Sequence, residues 1–197
     1  MKPTWSLLLA PGAGADRNQA ALVALDEVAT EAGAHVTRMD FPYRKAGRKG
    51  PDRPPVLLGA VLDEVASLSG PGPLVLGGRS MGGRICSLAV AEGLGPKAPT
   101  VAGLLLVSYP LHPPGRPGKL RIEHFPAIGV PCLFVSGTRD AFASPAELEQ
   151  HTAAIPGPVT HHWIEGKDHA LRNTENEVGE TTRAWLGGLG LELGFAG

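Results

Sequence analysis

Short apolar runs alternate with helix-length amphipathic stretches along the whole chain, and this alternation restricts the fold more than any single motif. Trp5–Ala10 is continuously apolar and stops at Pro11-Gly12, as expected of a strand buried on both faces. Over about 18–32, Ala21, Leu22, Leu25, Val28 and Ala29 recur at helical spacing before Gly33. A strand over 35–41, a helix over about 54–68 and a strand over 74–76 that stops at Gly77-Gly78 follow. The pattern continues with a helix Met81–Glu92, strands Val101–Val107 and 131–135, a helix over 145–154, a strand Val159–Ile164 and a helix over about 176–186. The class predicted is α/β, with about six mostly parallel strands joined by right-handed crossovers and helices on both faces. With no internal repeat and no linker, 1–197 reads as one domain.

Composition supports such a core, since 43% of the chain is hydrophobic and 19% charged. Lys plus Arg is 18 and Asp plus Glu is 19, a net charge of -1. That balance removes the electrostatic case for nucleic-acid binding or a polybasic membrane contact. Cys86 falls in a helical stretch and Cys132 in an apolar run. They form no disulfide framework and read as core residues of a protein in a reducing compartment. No apolar run approaches the ~18 residues of a membrane span. Lys2, the following apolar run and 13–15 have the outline of a secretory leader, but the apolar stretch is short and Pro11-Gly12 breaks it. A cytoplasmic location is expected. Residues 44–53 carry Arg44, Lys45, Arg48, Lys49 and Arg53 against Asp52 alone. They read as a solvated loop or as a cationic lip favouring an anionic ligand.

The chemistry-bearing segment is Gly78-Arg79-Ser80-Met81-Gly82-Gly83, directly after a predicted strand and directly before a predicted helix. G-x-S-x-G in that setting is a nucleophile elbow. The turn is tight enough that side chains at positions 78 and 82 would strike the neighbouring strand and helix, and the helix aims its positive end at the serine. A serine hydroxyl needs a base, and the base an orienting acid. Asp140 lies in the loop after the fifth strand and His169 in the loop after the sixth, in the chain order such folds use. Asp168 reads as a turn or solvent residue. The N–H of Met81 and a second from Gly12 or Ala13, in the glycine-rich loop after the first strand, are the expected oxyanion donors.

These residues, with Ser108-Tyr109-Pro110-Leu111-His112-Pro113-Pro114-Gly115, resemble an α/β-hydrolase of the compact dienelactone-hydrolase-like group. The resemblance is nearest to the testis-expressed and chromatin-complex-associated hydrolase-like family. It implies a compact α/β-hydrolase fold and Ser80, Asp140 and His169 as the catalytic triad. Two departures bear on substrate. Dienelactone hydrolases proper use a cysteine where this chain has Ser80, and Pro11 stands where many lipases have a histidine.

The segment 111–130 is too short for a large lid, so an open pocket for a small or exposed acyl group is expected. Arg79, Tyr109 and His112 are expected near its mouth as substrate-binding residues. The function read is a serine hydrolase of carboxylic esters or thioesters acting through an acyl-enzyme on a small-molecule or acylated substrate. No cofactor or metal, no nucleic acid and no membrane is expected, in a monomer or homodimer. The rivals are a non-catalytic interaction module on the same fold and an acyltransferase using the same triad.

Overall fold

The computed structural model describes residues 3–191. Lys2 and both ends of the 1–197 domain span lie outside the described residues. Among the described residues there are six strands and six α-helices: β1 (Trp5–Ala10), α1 (Ala20–Glu31), β2 (Ala34–Arg38), α2 (Pro42–Lys45), α3 (Pro54–Ser67), β3 (Leu74–Arg79), α4 (Met81–Glu92), β4 (Val101–Val107), β5 (Cys132–Gly137), α5 (Pro145–Thr152), β6 (Val159–Ile164) and α6 (Glu175–Gly187). All six strands are parallel in one sheet of order β2-β1-β3-β4-β5-β6. None of the helices is long and apolar enough to cross a membrane.

Alternate residues of each strand feed opposite cores. Leu8, Leu76, Leu106 and Phe134 pack under α3, α4 and α5, while Leu7, Leu9, Leu105 and Leu133 pack against α1 and α6. Burial on both faces explains why the strands read as unbroken apolar runs. The strand order reverses between β1 and β3, which opens a crevice at their carboxyl ends. The loop after β1 and the β3–α4 junction border it.

Three features depart from the sequence reading. β3 continues through Gly77 and Gly78 to Arg79, where the sequence suggested that the glycines end it. These glycines are strand residues because nothing larger fits. A Cβ on Gly77 would lie 2.7 Å from the Leu105 carbonyl oxygen, and one on Gly78 2.3 Å from that of Ala10. β2 stops at Arg38, short of the strand expected to 41, and the short helix opened by Pro42 takes in Arg44 and Lys45, the first residues of the segment expected to be loop. A 3-10 turn at Phe125–Ala127 anchors the 111–130 segment, with Phe125 fully buried. Both cysteines are free and buried, and burial pushes each thiol up to about 12.

Candidate active site

Ser80 sits between β3 and α4 with φ 51 and ψ -118, a left-handed conformation rare for a residue with a side chain. Such backbone costs on the order of 1–3 kcal/mol and persists only where the surroundings enforce it. Here the enforcement is the packing of α4 onto the end of β1. A Cβ on Gly82 would lie 2.1 Å from the Ala10 carbonyl oxygen, and the Ser80 N–H is held by the Val107 carbonyl at 2.8 Å.

The loops after β5 and β6 are tied together before they reach Ser80. A Cβ on Gly137 would lie 2.1 Å from the Lys167 carbonyl oxygen, so only glycine lets the two loops meet. Arg139 N–H donates to that carbonyl at 2.9 Å, and Gly166 N–H donates to Thr138 Oγ1 at 2.8 Å. The result is a hydrogen-bonded chain. His169 Nε2 is 2.8 Å from Ser80 Oγ, and His169 Nδ1 is 2.8 Å from Asp140 Oδ2. The Asp140 carboxylate accepts from Nδ1–H, leaving Nε2 to accept the serine proton. Asp140 Oδ1 also accepts the Phe142 N–H at 2.8 Å, and the Phe142 ring stacks on His169 with centroids 3.9 Å apart. Asp168 instead caps its own turn through the Ala170 N–H.

Ser80, Met81, Ala13 and His169 share the wall of an open cavity of about 390 Å³. Its apolar wall includes Leu57, Pro110 and Phe142, and its charged wall Asp52, Arg79, Arg84 and Arg121. The structure separates the two oxyanion candidates. Gly12 N–H is already donated to Gln19 Oε1 at 3.0 Å, and Gly14 N–H to the Tyr43 hydroxyl at 3.0 Å. Ala13 between them lines the cavity, and its N–H makes no hydrogen bond within the described residues. Met81 opens α4, so its N–H has no intrahelical acceptor.

Of the three residues expected at the pocket mouth, Arg79 alone lines the cavity. Its Nη2 donates to the His169 carbonyl at 2.5 Å, so it also braces the histidine loop. Burial lowers its pKa, and the charges of Asp140 and Asp168 oppose that shift. Tyr109 is not a wall residue. It is buried against Phe125 and Phe134, and its hydroxyl donates to the Arg121 carbonyl at 2.9 Å. His112 is also turned away. Its main-chain N–H holds the Phe142 carbonyl at 3.1 Å and its Nδ1 lies 2.9 Å from the Pro113 carbonyl oxygen. The chain turns after β4 ends at Val107, so Tyr109 packs into the core and His112 is buried against the loop that carries Phe142. Arg84, Arg121 and Phe142 hold the places expected of Tyr109 and His112. The sequence reading did not single out Arg84, although its place one helical turn beyond Ser80 was a usable signal; Arg121 and Phe142 carried no local signal.

The cationic lip is largely neutralised: Arg48 pairs with Asp52 at 2.7 Å, Arg44 with Asp16 at 3.5 Å and Lys45 with Glu64 at 4.0 Å.

A parallel sheet with a strand–serine–helix elbow at its switch point defines the α/β-hydrolase class. The family profile described as alpha/beta hydrolase domain matches residues 3–187, and the chain belongs to that family. Solved structures share the fold at low identity. Est1E from Butyrivibrio proteoclasticus with bound ferulic acid has a TM-score of 0.76 at 16% identity, over 95% of this chain and 90% of that one. Dienelactone hydrolase from Anabaena variabilis gives 0.73 at 18%, over 94% and 87%. Mouse alpha/beta hydrolase domain-containing protein 10 gives 0.72 at 16%, over 93% and 90%. Membership of this family supports hydrolysis as the general activity.

Proposed function

We propose that the chain hydrolyses a carboxylic ester or thioester with a small or exposed acyl group, using Ser80, His169 and Asp140 as a catalytic triad. The observation that carries this reading is the unbroken 2.8 Å and 2.8 Å chain from Ser80 Oγ through the imidazole to the buried carboxylate. Ser80 Oγ attacks the acyl carbon while His169 Nε2 takes its proton. Asp140 holds the ring in the required tautomer and stabilises the imidazolium. The N–H groups of Met81 and Ala13 receive the oxyanion. His169 then protonates the departing alcohol or thiol, leaving an acyl-Ser80 ester. Water repeats the sequence, and the acid leaves. Phe142, stacked on His169, helps hold the imidazole in place.

The open cavity suits a short acyl chain or an acyl group on a larger molecule. The stretch Tyr109–Gly115 favours the testis-expressed and chromatin-complex-associated branch of the family. The two unpaired thiols fit a cytoplasmic setting.

A fluorophosphonate probe should label the wild type and not Ser80→Ala, and para-nitrophenyl acetate turnover should vanish in the same variant. Equal labelling of both proteins would overturn the assignment of the nucleophile. His169→Ala should retain the wild-type melting transition while losing turnover. Transfer of the acyl group to added alcohols or thiols in preference to water would make the enzyme an acyltransferase instead.

A further inference from the structure

The cavity over Ser80 contains more positive charge than its own residues neutralise. Of its three guanidinium groups, Arg79 is committed to the His169 carbonyl and lies in the field of Asp140 and Asp168. The single carboxylate in the wall, Asp52, already accepts Arg48 at 2.7 Å through Oδ1, while its Oδ2 has no partner. Arg84 and Arg121 remain. Neither has an acid within ion-pair distance among the described residues. Arg84 Nε is buried with no hydrogen-bond partner, and Arg121 reaches only the Pro110 carbonyl, at 3.5 Å. Glu123 acts on His124 and Tyr109 but pairs with neither arginine.

The two cations are also close enough to disfavour each other. Arg121's pKa is lowered, by burial first and by the Arg84 charge second. Partly buried like charges without a counter-ion are unfavourable, and a bound anion relieves the cost. The main chain beneath each arginine is fixed, since Arg84 N–H bonds back to the Ser80 carbonyl at 3.1 Å and the Arg121 carbonyl accepts the Tyr109 hydroxyl at 2.9 Å, while the guanidinium groups themselves lack acidic partners. Guanidinium forks placed this way match the oxygens of a carboxylate or phosphate.

We infer that Arg84 and Arg121 form an oxyanion-group subsite, and that the natural ester or thioester carries a carboxylate or phosphate within reach of its scissile carbonyl. This rests on the proposed hydrolase reading but can fail separately. The anion neutralises the pair, and its bidentate contact fixes the acyl carbon over Ser80. Binding energy from a non-reacting part of the substrate is thereby spent on orientation.

The test compares para-nitrophenyl hexanoate with the mono-para-nitrophenyl ester of adipate, which differs by a terminal carboxylate. A second pair, phenyl acetate and para-carboxyphenyl acetate, places the charge on the leaving group. Wild-type kcat/KM should favour the charged member of at least one pair by about tenfold or more. That ratio should fall towards one in Arg84→Gln/Arg121→Gln, mostly through KM, and should shrink with added salt. Arg84→Lys should retain part of it. No preference in either pair, or a ratio unchanged in the double variant, would overturn the subsite. Calorimetry on Ser80→Ala with glutarate and with inorganic phosphate gives a readout free of turnover. Binding of either, abolished by the two arginine substitutions, supports the inference and tells carboxylate from phosphate; binding of neither overturns it. Failure of all ester turnover and of Ser80 labelling would sink the hydrolase reading alone, and calorimetry would still decide the subsite.

Discussion

Helix α4 carries two serine–histidine pairs, one at its head and one along its body, and only the first has the surroundings a nucleophile needs. Ser80 lies 2.8 Å from His169, and Ser87 lies 2.7 Å from His124. Burial does not separate them, since Ser80 is 8% exposed and Ser87 fully buried. The differences lie in proton direction, in the third group and in free space. Ser87 Oγ donates to the Arg84 carbonyl at 2.8 Å, so His124 Nε2 must be the donor between the two side chains. His124 Nδ1 is buried with no partner, whereas His169 Nδ1 has Asp140 behind it. Burial, reinforced by the Arg84 charge, pushes His124 down to about 4, so it stays neutral near pH 7. Ser80 alone faces a cavity and stands on strained backbone. Distance between hydroxyl and imidazole therefore does not make a nucleophile; the acid, the acceptor nitrogen and room for a carbonyl do.

The largest contrast comes from deleting each hydroxyl. Ser80→Ala should lower ester kcat by roughly 10⁵–10⁶, while Ser87→Ala should stay within about threefold of wild type. Comparable losses in both would erase the distinction between the pairs. Asp140→Asn comes next. It keeps the shape of the site but supplies the wrong hydrogen bond to Nδ1, and should cost about 10⁴ in kcat. A near-normal rate would mean that the acid is not needed to orient His169.

Smaller effects concern stability. Gly82→Ala would force a Cβ into the Ala10 carbonyl and should destabilise the fold by about 2–4 kcal/mol in urea unfolding, with the elbow the first part to distort. The smallest effect is in the pH profile. Between pH 6.5 and about 4 the unfolded chain binds a proton at His124 that the folded protein excludes. Its contribution is complete above pH 6.5 and lost as pH falls through about 4. His161, lowered by burial in the same direction, adds to that slope. Stability of His124→Gln should therefore fall less steeply than that of wild type over this window, and identical slopes would contradict the buried neutral assignment.

The catalytic candidates were legible because each lies in the turn or loop that follows a strand. Parallel strands all end on one edge, so Ser80, Asp140 and His169 had to emerge there, in whatever order the sheet places them. The glycines at positions 78 and 82 were legible for the same reason, as points where backbone meets backbone. Tyr109 and His112 misled because they also follow a strand, yet the chain turns there and sends both inward to anchor other loops. Gly12 and Ala13 were indistinguishable along the chain, and only the Gln19 side chain, folded back from the start of α1, consumes one amide and leaves the other.

Alternating apolar runs and turn glycines, read along the chain, were enough to determine the parallel sheet and the edge on which reactive loops collect, because both depend on local periodicity and backbone sterics. Which hydroxyl keeps a free acceptor nitrogen, which amide remains unspent and where Arg84 and Arg121 meet were decided only in the folded protein. Those properties depend on partners from distant segments competing for the same proton or the same charge, and no spacing along a chain records who wins.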